Sequence, residues 1–130
     1  MEFDDGVLSY DEFGEMLDEI TSELPHELFE HLNGGVNLLR NVHTHPEGIN
    51  NNLFILGQYH CSGGMGRYIN IYYGSFMRLY GRSGQQYIKK QLESVLRHEL
   101  LHHLESLAGE RDLEVKDAID LAKYKARYNK

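Results

Sequence analysis

His98-Glu99-Leu100-Leu101-His102 constrains the chain more than any other stretch. It follows the pattern His-Glu-x-x-His. A helix turns about 100° per residue, so positions four apart return to nearly the same face. On a helix, His98 and His102 can share one metal ion. Glu99 then projects beside them, about 60° round from His102. The motif therefore supplies two ligands and a carboxylate base, and asks for a helix to carry them.

The surrounding sequence supplies that helix. Ile88, Leu92, Val95, Leu96, Leu100, Leu101, Leu104 and Leu107 recur through Gln85 to Leu107. They occupy more than one side, which predicts a helix buried centrally, with His98 and His102 in its buried part. Gly109 is expected to end it, and a last helix to begin near Asp112.

A catalytic zinc takes three protein ligands and leaves a fourth position open. His98 and His102 are the first two, and Glu99 is the general base that accepts a proton from water and passes it to a leaving amine. His103 lies about 140° from His98 and cannot join it on one metal, so packing or a hydrogen bond is its expected role. Glu105 shares the face but stands about 10 Å along the axis from His98, too far for one ion. The third ligand is expected after the glycine. Asp112 is the first choice, with Glu114 and Asp117 as alternatives, and Asp112 would otherwise cap the last helix. Burial of His98, Glu99 and His102 together would demand other polar partners unless a metal is bound. His43, His45, His60 and Cys61 are expected to be ordinary polar residues, because no ligand spacing or Cys-x-x-Cys pattern accompanies them.

Length and composition set the class. The chain has 130 residues, which suggests one domain over 1–130. No run of about eighteen apolar residues occurs, so no membrane span is expected. The acidic start Met1-Glu2-Phe3-Asp4-Asp5 does not resemble a signal peptide, and a single cysteine suits a reducing compartment. The expected location is the cytoplasm. A net charge of −7 argues against nucleic acid as a partner. No Lys or Arg precedes Arg40, whereas Lys123, Lys125, Arg127 and Lys130 make the end basic. This reads as two solvated helix faces of opposite sign, or as a contact between the termini or with a charged partner.

The remaining elements follow from caps and periodicity. Ser9-Tyr10-Asp11-Glu12 reads as a capping box opening a helix with Phe13, Met16, Leu17, Ile20 and Leu24 on one stripe. Pro25 opens a short helix to Leu32. Strands are expected over Val36–Val42, Leu53–Tyr59 and Arg67–Tyr73, with a loop over His43–Asn52 and a flexible connection over Cys61–Gly66. Ser75 is expected to cap a short helix through Tyr80.

Three segments carry a resemblance to small bacterial zincin-like metallopeptidases, the minimal zincins. They are Leu56–His60, Gly66–Met77, and Leu96–His103 with Gly109 and Asp112. The resemblance covers about Tyr10 to Asp117. It implies an α+β fold in which a small twisted sheet packs on the helix bearing the motif. It also implies a strand above that helix that pairs with extended substrate, for which Arg67–Tyr73 is the candidate. Leu104-Glu105-Ser106-Leu107-Ala108 departs from the family spacing by lengthening the helix before the glycine.

The expected function is a zinc-dependent peptidase that hydrolyses peptide bonds in a peptide or protein substrate. The alternative is a catalytically weak or inactive protein of the same fold that binds a peptide or protein partner. A metal-dependent nuclease would need a third histidine six residues after His102, where Ala108 stands.

Overall fold

The computed structural model describes residues 7–46, 53–62 and 66–110. The expected helix near Asp112 and the basic tail lie outside the described residues. The architecture is α+β, with helices packed on a three-stranded sheet.

Helix α1 spans Tyr10–Glu23. The capping box is present: the Glu12 amide donates to Ser9 Oγ at 3.0 Å, and the Ser9 amide donates to Glu12 Oε1 at 2.9 Å. Pro25 leads into a single 3-10 turn, His26–Phe29. The periodic residues Phe13, Leu17 and Ile20 are buried in the core.

The strands are β1 (Gly35–Leu39), β2 (Gly57–Ser62) and β3 (Gly66–Tyr72), in the order β1-β3-β2. β3 pairs with β1 in parallel and with β2 antiparallel. It is therefore the central strand, paired on both sides. The expectation that Arg67–Tyr73 offers a free edge is corrected: its buried Ile69 and Ile71 place it in the core, and β2 is the edge strand beside the long helix.

The second strand also begins later than its apolar run suggests. The run Leu53-Phe54-Ile55 does not enter the sheet. It pairs instead with the segment before it, through the His45 amide on the Leu53 carbonyl and the Ile55 amide on the His43 carbonyl, each at 2.8 Å. Cys61, expected in a connection, belongs to β2.

β3 passes without a loop into α2, Tyr73–Tyr80. Ser75 does not cap that helix. It is fully buried within it, where Oγ accepts from the His43 amide at 2.8 Å and donates to the His43 carbonyl at 3.1 Å.

Helix α3 spans Gln85–Glu110. Gly109 does not end it, since the helical backbone continues through that residue. Ile88, Leu92, Leu96, Leu100, His103 and Leu107 form a buried stripe against the sheet and α1, with Glu99 and Ala108 buried beside it. The opposite stripe, with Lys90, Ser94, His98 and His102, is exposed. The expectation that His98 and His102 are buried is thus corrected. Leu101 and Leu104 are only half-buried, so the apolar face is narrower than the leucine count suggests.

Candidate metal and catalytic site

Helical spacing brings His98 and His102 together on the solvent side of α3. Their Nε2 atoms lie 3.1 Å apart, with the rings edge to face. Two nitrogens bound to one tetrahedral zinc at about 2.0–2.1 Å stand roughly 3.3 Å apart. The pair is therefore already near the separation that a shared ion requires. Glu105 Oε1 sits 3.2 Å from His102 Nδ1. An Nδ1–H donated there leaves the Nε2 lone pair turned toward His98, the usual outer support of a ligating histidine.

Glu99 is the buried member of the motif, 8% exposed. Burial pushes its carboxyl above the usual carboxylate range. The neighbouring His98 and His102, the Tyr59 amide and His60 pull the other way. Ladder parity sets which backbone groups of β2 face outward. The Tyr72 amide donates to the Leu56 carbonyl at 3.0 Å, so Leu56, Gln58 and His60 aim their backbone groups at β3. Gly57, Tyr59 and Cys61 aim theirs outward, toward the site.

A groove of about 330 Å³ adjoins the motif, lined by Phe54, Ile55, Leu56, Gly57, Ser94, Val95, His98 and Glu99. Gly57 lets the strand approach the helix this closely. A Cβ there would stand 2.9 Å from Val95 Cγ1 and 3.1 Å from Ile71 Cδ1.

His103 takes the packing role expected of it. It is fully buried, with Nε2 2.7 Å from the Glu30 carbonyl oxygen and Nδ1 3.0 Å from the Tyr59 hydroxyl. Burial holds its pKa below the ordinary histidine value. His43 packs on Tyr72, with ring centroids 4.7 Å apart, and His60 stacks on Tyr68 at 4.8 Å. Cys61 is an exposed free thiol. Among the described residues, no group of three His, Cys, Asp or Glu side chains could hold a metal ion. Asp112, Glu114 and Asp117 lie outside the described residues.

Sequence reasoning missed Tyr59 and Gly57. Strand alternation around Tyr59 is visible in the sequence, but neither the edge position nor the outward parity of its amide can be read without the pairing partner.

No family model matches the chain, and no curated protein matches it. The solved structure of a conserved hypothetical protein from Thermus thermophilus is similar. It superposes with a TM-score of 0.66 at 31% sequence identity, covering 78% of this chain and 99% of that one. The chain belongs to the family of that protein. The relationship extends over essentially the whole relative, so the α+β framework is shared.

Proposed function

We propose that the protein is a zinc-dependent peptidase of the zincin type. The observation that carries this reading is the pairing of His98 and His102 Nε2 atoms at 3.1 Å beside a buried Glu99 carboxylate. With both Nε2 atoms deprotonated the imidazoles would present two lone pairs to a cation, and a carboxylate after Gly109, Asp112 first, would complete the ligand set. Zinc held there would lower the pKa of water toward about 7 and polarise a carbonyl oxygen.

The chain's own residues have separable tasks. Glu99 accepts the proton of the attacking water and returns it to the leaving amine, so its carboxylate starts and ends ionised. Its burial suits a base whose proton affinity lies closer to neutral pH than that of a free carboxylate. The outward amides and carbonyls of β2 can pair with an extended peptide laid along the edge. Glu105 orients His102.

The decisive experiment uses zinc-loaded protein and a diverse peptide library. Glu99→Gln is expected to retain metal and lose hydrolysis by a factor of at least about 10³. Equal turnover by variant and parent would refute the mechanism. Peptide binding without cleavage by the parent would instead favour a non-catalytic protein that binds a peptide or protein partner.

A further inference from the structure

The groove beside His98 and Glu99 is mostly apolar. Phe54, Ile55, Leu56 and Val95 supply its walls, and Ser94 is a neutral polar group on it. Its volume of about 330 Å³ lies at the small end of the range for ligand clefts, about 300–1,000 Å³. That suits one residue of a peptide rather than several.

A cation stands beside one of these walls. Arg78, in the last turn of α2, places Cζ 5.7 Å from the centroid of the Phe54 ring. This is within cation–π range, and Arg78 is exposed. Lys89 and Arg97 are engaged by Glu19 and Glu93, at 3.0 and 2.7 Å. Arg78 has no such carboxylate among the described residues. A guanidinium without a carboxylate, next to an apolar groove, is complementary to an anionic group carried on an apolar residue.

The sheet edge ends at the same place. β2 begins at Gly57, which also lines the groove. Before it, the Ile55 amide donates to the His43 carbonyl at 2.8 Å, and the Leu56 carbonyl accepts from the Tyr72 amide at 3.0 Å. An extended peptide paired with the edge of β2 therefore has no ladder to follow past Gly57. A peptide that stops there puts its last residue at the groove. Its carboxylate belongs on the Arg78 side, so the peptide runs antiparallel to β2.

We propose that the groove holds the C-terminal residue of a peptide substrate, with its apolar side chain against Phe54 and Val95 and its terminal carboxylate on Arg78. The protein then removes single residues from a free C-terminus. Water adds across the last amide bond: a C–O bond forms at the carbonyl carbon and the C–N bond breaks. Glu99 passes the proton taken from water to the released amino group. Cleavage rests on the reading of His98, His102 and Glu99 as a hydrolytic site, whereas capture of the terminus does not.

The test measures binding by zinc-loaded Glu99→Gln protein, using calorimetry and pentapeptides of one sequence. They end in Leu as the free acid, in Leu amide, and in Gly as the free acid. The Leu acid is expected to bind at least about fivefold more tightly than the amide. Adding Arg78→Gln should remove that difference by weakening the acid alone, and Arg78→Lys should keep part of it. Ser94→Phe crowds the groove from its exposed side, and should weaken the Leu acid more than the Gly acid. With the zinc-loaded parent, mass spectrometry should show loss of the last residue only.

Failure of the Leu acid to bind, or equal binding of acid and amide, overturns the proposal. So does Arg78→Gln weakening both peptides alike, which would show a merely structural guanidinium. Cleavage inside the peptide, or equal turnover of the amidated one, overturns it while the peptidase reading stands. If the parent cleaves nothing, the peptidase reading fails on its own, and the acid–amide comparison still decides whether Arg78 captures the terminus.

Discussion

His98 and His102 face each other across 3.1 Å on the exposed side of α3, while Glu99 between them in sequence is buried beneath the edge of β2. One helical turn thus divides its groups between solvent and protein. The imidazoles are open to solvent, and the carboxylate is withdrawn from it.

That division predicts unequal effects on metal binding. His102→Ala removes a proposed zinc ligand and is expected to abolish stoichiometric zinc. Glu105→Ala removes only the carboxylate behind His102 and should weaken zinc about tenfold. Zinc titration of both variants, with metal content measured on protein lacking a histidine tag, checks the order. Equal affinities for parent and Glu105→Ala would remove Glu105 from the site.

Gly57 should resist substitution. A Cβ there meets Val95 Cγ1 at 2.9 Å and Ile71 Cδ1 at 3.1 Å, both in a packed interface. Gly57→Val is expected to destabilise the fold by about 1–3 kcal/mol through overpacking. Combining it with Val95→Ala should recover part of the loss. Denaturant midpoints of the single and double variants test this, and strict additivity would show that the two positions do not meet.

Ser75 joins α2 to the segment around His43. Its buried hydroxyl both accepts and donates, at 2.8 and 3.1 Å. Ser75→Ala leaves the His43 amide and carbonyl without that partner and should cost about 1–3 kcal/mol. Ser75→Thr keeps the hydroxyl but adds a methyl to a fully buried position, and should not restore parent stability. Chemical denaturation distinguishes the variants.

Tyr73 predicts an alkaline limit away from the candidate site. Its hydroxyl donates to the Leu8 carbonyl at 2.5 Å, and burial raises its pKa above the ordinary value of 10.0. Arg40 opposes this and Glu12 adds to it. The unfolded chain releases the phenolic proton first. The Tyr73 contribution is therefore complete below about pH 10 and is lost as pH rises through the raised folded value. Tyr73→Phe should cost about 1 kcal/mol near neutrality and flatten this part of the alkaline decline. Stability curves of parent and variant between neutral and alkaline pH check the sign.

Local signals are readable where the cause is local. Ser9 and Glu12 satisfy each other's amides within one turn, and the α1 stripe follows from helical spacing alone. The His98–His102 pair is of the same kind, because four residues of helix bring the rings together whatever surrounds them. Leu53-Phe54-Ile55 reads as part of a sheet strand and is not, because apolar content does not reveal which neighbour supplies the hydrogen bonds. Ser75 reads as a cap and is not, because its partner, His43, lies far away in sequence.

The sequence by itself determined the helix, its motif and the chemistry those residue types can perform, since side-chain identity and a 3.6-residue repeat suffice for that. Tertiary structure decided which strand is the edge, which amides face outward, and which member of the motif is buried. Those properties depend on strand order and on ladder parity, which shift with a single step in register. Tyr59 shows the difference most plainly. As a residue in a sequence it is one tyrosine among nine; in the fold its hydroxyl links His103 and Arg67, because β2 lies at the sheet edge against α3.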